Sequence, residues 1–265
     1  MRTLHRLIRT TIFVSAALVC TGCPSRVARQ QLSTAQTALE QKRYDEAMAA
    51  ADRYLKDDAK GLGAPAALYF KGRALEQRVK RDDAQFVRDL TAAKANYVQA
   101  LQLNPSRDLQ AYIQTSFGNV TYWLHDYATA EASFQNAHEL LPAGDLKGWA
   151  LYRLGLSQQR QGRWADADKT FVAVQNQFPG TEISRRSREH QGARAFYVQV
   201  AAFQNLTNAE NLVASLRTQG VPSHRLHKPE RNLHLVMAGP AKTYSEAIGM
   251  RRRLSSRFND AMIVP

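Results

Sequence analysis

His224, His227 and His234 fall close together near the C-terminal end of the chain. Histidines so spaced invite a metal-binding reading. No cysteine accompanies them and no catalytic context surrounds them, so no metal site is expected. The chain has no Gly-rich phosphate loop, no G-x-S-x-G turn and no zinc-protease helix motif. No pair of carboxylates stands out as a hydrolase pair. The chemistry on offer is recognition rather than bond-making, so the chain is expected to be non-enzymatic, with no cofactor and no metal.

The two cysteines, Cys20 and Cys23, sit behind a basic head of Arg2, Arg6 and Arg9 and an apolar run from Thr10 to Val19. That run is too short to cross a hydrocarbon core of roughly 30 Å as a helix. Head, run and small residues make an export signal over residues 1–22. Thr21-Gly22-Cys23 resembles a bacterial lipobox, in which the cysteine is diacylated and becomes the first residue of the mature chain. Cys20 stands where that motif usually has Leu, and bulky Val19 makes Cys20 the poorer candidate. The resemblance implies lipidation at Cys23 and a protein anchored to a membrane rather than spanning it. Pro24, in place of the Asp that often retains lipoproteins at the inner membrane, favours the periplasmic side of the outer membrane. The alternative is an ordinary signal peptide cut nearby. In either case no cysteine remains to pair, and the fold must hold by packing alone.

Composition bounds the partners. Among 265 residues Lys and Arg total 36 against 23 acidic residues, a net charge of +13. Without an export signal this would suggest nucleic acid. With one, anionic envelope polymers or lipid head groups are better candidates, and part of the excess is solvated surface. About 240 mature residues form two units more comfortably than one.

The elements that would position any site begin with a helical repeat. Gly118 to Ala130 recurs as Gly155 to Ala167, Ala130 to Phe134 as Ala167 to Phe171, and Phe134 to Pro142 as Phe171 to Pro179. Gly and Ala stand where antiparallel helices approach closely, Phe fills the space beside them, and Pro ends the second helix. Tyr44, Tyr127 and Trp164 each open a second helix. The pattern resembles the tetratricopeptide repeat, a helix-turn-helix unit of about 34 residues, over residues 23–181. In the second copy, Leu68, Gly72 and Leu75 lie further upstream of Ala92, Ala93 and Tyr97 than expected. An insertion around Val79–Val87 is a longer loop or an extension of the helices. The first copy, near Ala28 to Lys60, has Ala51 where Phe is usual. The resemblance implies a concave groove for a partner protein, with Tyr112, Tyr122 and Tyr152, and beside them Tyr69, Lys71, Gln114 and Arg153, as groove candidates or as packing. Residues 182–194 read as a capping helix and linker, with Arg185, Arg186 and Arg188 on a solvated face.

Residues 195–265 read as strand, helix, strand, strand, helix, strand. Tyr197 to Phe203 alternates, with Val198, Val200 and Ala202 on one side and Tyr197, Gln199, Ala201 and Phe203 on the other. Asn208 to Gln219 is helical and closed by Gly220. Val221–His227 and Leu233–Ala238 are strands about a turn, Tyr244–Arg257 a helix and Ala261–Val264 a last strand. The fold class expected is therefore multidomain: an all-α helical solenoid followed by a small α+β module of ferredoxin-like βαββαβ order. Tyr197, Gln199, Phe203, Asn208-Ala209, Leu212, Leu216, Gly220, Gly239-Pro240, Ala247 and Leu254 together resemble a SPOR domain.

That resemblance implies an open sheet face that binds peptidoglycan glycan strands stripped of their stem peptides. Apolar side chains would lie against sugar C–H faces and amides would meet hydroxyl and N-acetyl groups. The implied glycan contacts are Gln199, Ala202, Leu233, Leu235 and Met262. Gln199 occupies the family's Gln position. Ala202 stands where some members have Ser, Leu235 where many have Arg, and Leu233 where some have an aromatic. His234, and His224 or Arg225, are further polar candidates, though strand alternation keeps neighbours on opposite faces. The function implied is an envelope lipoprotein with peptidoglycan, a protein partner and a membrane as its partners, at work in wall remodelling or division. The alternative is an adaptor whose C-terminal module has lost glycan binding. An RNA-binding reading ranks last, for want of the aromatic-rich strand and because of the export signal.

Overall fold

The computed structural model describes residues 25–265; the expected signal and Cys23 lie outside them. The chain forms two compact units that divide between Leu124 and His125. Among the described residues no helix is long and apolar enough to cross a membrane.

The first unit holds α1 (Arg26–Glu40), α2 (Tyr44–Asp57), α3 (Ala64–Gln77), α4 (Asp83–Gln102) and α5 (Arg107–Trp123). Small residues let the helices close up: Ala35, Ala50, Ala51, Ala67 and Ala93 are all buried in one core with Tyr54, Leu68, Tyr97 and Ile113. At Gly72 a Cβ would lie 2.5 Å from the Tyr97 ring, so only glycine admits α4 at that distance. The insertion resolves as a short connection and a lengthened helix. Asp82 caps α4 by accepting from the Gln85 amide at 2.6 Å, and the helix then runs 20 residues. The connection is clamped: Asp89, 3 % exposed, accepts from Arg78 Nε at 2.8 Å and lies 3.0 Å from Lys80 Nζ. These two cations hold its carboxyl down to about 2, the Arg78 hydrogen bond contributing most.

The second unit begins with α6 (Tyr127–Leu140), α7 (Asp145–Arg160), α8 (Trp164–Gln177) and α9 (Glu182–His190). The repeat logic holds within it. A Cβ on Gly155 would sit 2.7 Å from the ring of Phe171, which is fully buried. Thr181 caps α9 by accepting from the Ser184 amide, and Ile183, Ser184 and Ser187 are its buried face. On its outer face Arg185 and Arg186 pair with Glu182, and Arg185 also with Glu189, so most of this basic run is neutralised within its own helix.

The stretch expected to be a linker is tied down. Asp168 on α8 accepts from the Gly192 amide and pairs with Arg194, both at 2.8 Å. The chain then enters β1 (Phe196–Phe203), α10 (Leu206–Thr218), β2 (Ser223–Lys228), a short 3-10 turn at Pro229–Arg231, β3 (Leu233–Ala241), α11 (Tyr244–Leu254) and β4 (Met262–Val264). All pairings are antiparallel and the sheet order is β2-β3-β1-β4. Both helices pack on one face, where Val198, Val200, Val236 and Ala238 meet Ala209, Val213, Leu216 and Leu254. Phe196, 1 % exposed, starts β1 one residue earlier than the alternation suggests; its ring lies 4.9 Å from Trp164 and 5.4 Å from Tyr244.

Candidate functional site: the open face of the C-terminal sheet

Among the described residues no helix packs on the face of the sheet away from α10 and α11. Its membership follows from strand register. On β1, Gln199 faces Met237 of β3 while Ala201 faces Val236, so two steps on β1 match one on β3 and Val200 is the extra residue of a β-bulge. The bulge reverses the alternation beyond it. Val198 and Val200 point into the core, and so does Phe203, which packs against that core. Ala202 faces Leu235 and is exposed on the side of Gln199. Strict alternation set Ala202 with the core valines, and Ala201 and Phe203 with Gln199; the structure corrects all three, Ala201 facing the core residue Val236, because one inserted residue exchanges the faces of all that follow.

With this correction the expected contacts share one surface. A row runs straight across all four strands: His224 on β2 faces Met237 on β3, Met237 faces Gln199 on β1, and Gln199 faces Met262 on β4. Beside it Leu226 faces Leu235, which faces Ala202, and beyond these Lys228 faces Leu233. Gln199, Ala202, Leu233, Leu235 and Met262 are thus brought together. Met262 is 51 % exposed and Leu226 40 % exposed, large apolar groups left in water on a face with no helix over it. The rows contain no carboxylate and one cation, Lys228. A polymer rich in hydroxyl and N-acetyl groups fits such a surface: apolar groups take C–H faces, an amide donates and accepts, and no carboxylate of the rows repels an acidic group on the polymer.

The histidines separate. His224 is on the open face, where its ring meets Tyr197 edge-on at 5.0 Å. His227 and His234 stack at 4.6 Å on the opposite side, with Arg225 Nη1 3.1 Å from His234 Nδ1. Desolvation, then the neighbouring His227 and Arg225, lowers the pKa of His234. Of the further polar candidates, His224 alone joins Gln199. Among the described residues no group of three His, Cys, Asp or Glu could hold a metal ion.

The groove tyrosines are packed. Tyr122 is 6 % and Tyr152 5 % exposed; Tyr152 meets Trp149, Phe171 and His190, and Tyr122 meets Trp123. Tyr112 is half-buried against the core of the first unit and keeps the most surface of the three. Sequence reasoning missed Leu226 and Met237 on the open face. Their signal is register across β2 and β3, which no local pattern encodes.

Comparison with known proteins agrees with this layout. The SPOR domain family model matches residues 192–265, and a tetratricopeptide repeat model matches residues 149–181. Residues 192–265 are thus a SPOR domain of βαββαβ order, preceded by tetratricopeptide-type helices. Among solved structures, a thermophilic tetratricopeptide protein of Thermus thermophilus is 20 % identical, over 62 % of this chain and 80 % of its own, at a TM-score of 0.46. The MamA protein is 15 % identical, over 90 % of this chain and 98 % of its own, at a TM-score of 0.49. No curated protein matches the chain.

Proposed function

We propose that this protein is a non-enzymatic envelope adaptor that binds peptidoglycan glycan strands, stripped of stem peptides, on the open face of its SPOR domain. One observation carries the reading. Gln199 lies in a row between Met237 and Met262, beside Leu235 and Ala202, on a helix-free face whose rows hold no carboxylate. The tetratricopeptide helices supply the second hand, for a protein partner. Cys23 supplies a lipid anchor on the periplasmic side of the outer membrane, a reading supported by Arg2, Arg6, Arg9 and Thr21-Gly22-Cys23. Binding of stripped strands would concentrate the protein where amidases act, as at a division site.

The test is co-sedimentation of residues 24–265 with intact sacculi and with sacculi whose stem peptides an amidase has removed. Stronger pelleting with stripped sacculi, lost in Gln199→Ala, is the expected result. Equal absence from both pellets overturns the reading. It would favour the second one, an adaptor without glycan binding, for which apolar Leu235 and Ala202 at the centre of the face are the specific support.

A further inference from the structure

Tyr197 and His224 touch although their strands are not neighbours. β3 lies between β1 and β2, yet the two rings meet at 5.0 Å with their planes 81° apart. The contact requires β3 to present no side chain beneath it, and the residue there is Gly239. A Cβ on Gly239 would lie 2.9 Å from Tyr197 Cδ1 and 3.1 Å from the Phe196 carbonyl oxygen, and its φ of +138° excludes most other residues. Met237, beside it on the same face, is only 3 % exposed. The result is an aromatic platform laid over β3 and reaching from β1 to β2, with both rings half-exposed.

We propose that Tyr197 and His224 form a second sugar-ring subsite for the same glycan strand that Gln199 contacts. The proposal rests on the glycan reading above and extends it. His224 stands in Gln199's own row across the sheet, and Tyr197 precedes Gln199 by two residues on the same side of β1, so the platform continues the surface already described. A tyrosine ring offers a π face to sugar C–H groups, while its hydroxyl and the imidazole nitrogens donate to and accept from hydroxyl and N-acetyl groups. Lys228, the one cation of the facing rows, pairs with Leu233 at the far end of β2. The ligand class that fits the platform is an N-acetylated hexose ring.

The experiment uses the mature chain and peptide-free glycan oligomers of two, four and six sugars, with binding measured by calorimetry or fluorescence. Wild type should gain affinity with length. Tyr197→Leu and His224→Leu should each weaken binding of the six-sugar oligomer by about three- to tenfold, the loss of one stacked contact, and so flatten the gain in affinity with length. Gln199→Ala should weaken every length. If Tyr197→Leu fails to fold, His224→Leu on the edge strand carries the comparison. Wild-type affinity in both leucine variants at every length, with Gln199→Ala still impaired, overturns the subsite alone. A wild type that binds neither oligomers nor stripped sacculi overturns the glycan reading and the subsite together.

Discussion

Arg160, the last residue of α7, holds its guanidinium carbon 3.3 Å from the centre of the ring of Tyr244, the first residue of α11. The same guanidinium lies 5.4 Å from the Phe196 ring. Trp164 covers Phe196, and Tyr127 meets Tyr244 at 6.0 Å. A helix end from the repeats is therefore seated in the aromatic core of the SPOR domain, and the two share one apolar interior.

Arg160→Ala should lower the unfolding free energy by about 1–2 kcal/mol, the loss of a partly desolvated cation–π contact. Arg160→Lys should lose less, since it keeps the charge without the planar stack. Urea denaturation followed by circular dichroism gives both values. Equal stability of all three proteins would mean the contact contributes nothing.

Gly155→Ala should cost about 1–3 kcal/mol, because the new Cβ meets a fully buried Phe171 ring that has nowhere to move. Phe171→Leu is destabilising alone but should relieve part of that clash. A double-mutant cycle on thermal midpoints should give a favourable coupling, and strict additivity would show that the ring does not limit the approach of α8.

Asp89→Asn should be the most damaging single change to the first unit, about 3–5 kcal/mol. It removes the counter-charge from Lys80, whose side chain is 13 % exposed, and from Arg78. Limited trypsin digestion should then cut the 78–82 connection faster than it does in wild type. An unchanged digestion pattern would refute the clamp.

Acid should weaken the fold before carboxylates protonate. Burial, then the charges of Arg160 and Arg186, lowers the pKa of His190 from 6.5 to about 4. A proton that binds the unfolded chain more readily than the folded one makes stability fall as pH drops below about 6.5 and level off near 4, by on the order of 3 kcal/mol. His125 and His138 are shifted the same way and add to the slope. Asp89 acts in a lower window, between its ordinary 3.8 and about 2. His190→Gln should flatten the dependence of the thermal midpoint between pH 4 and 6.5. A slope equal to wild type would mean His190 titrates normally.

What could be read from residue types was what local chemistry fixes. Tyr44, Tyr127 and Trp164 open helices because each stands at a turn between antiparallel partners, and they begin α2, α6 and α8 as expected. Gly72 and Gly155 announce close approach because no other residue fits. The SPOR elements were legible to within a few residues at their ends. The bulge at Val200 was not, since period-2 reading assumes that no residue is skipped, and one skipped residue exchanged the faces of Ala201, Ala202 and Phe203. The Tyr197–His224 contact was hidden for another reason: it depends on β3 coming between its two strands and on a glycine lying beneath.

Asp168 has a mechanical consequence. By fastening both Gly192 and Arg194, while Trp164 and Arg160 grip Phe196, it removes the swivel that a free connector would allow between α8 and β1. A pull exerted on the sheet passes into the helices as tension along a stiff joint.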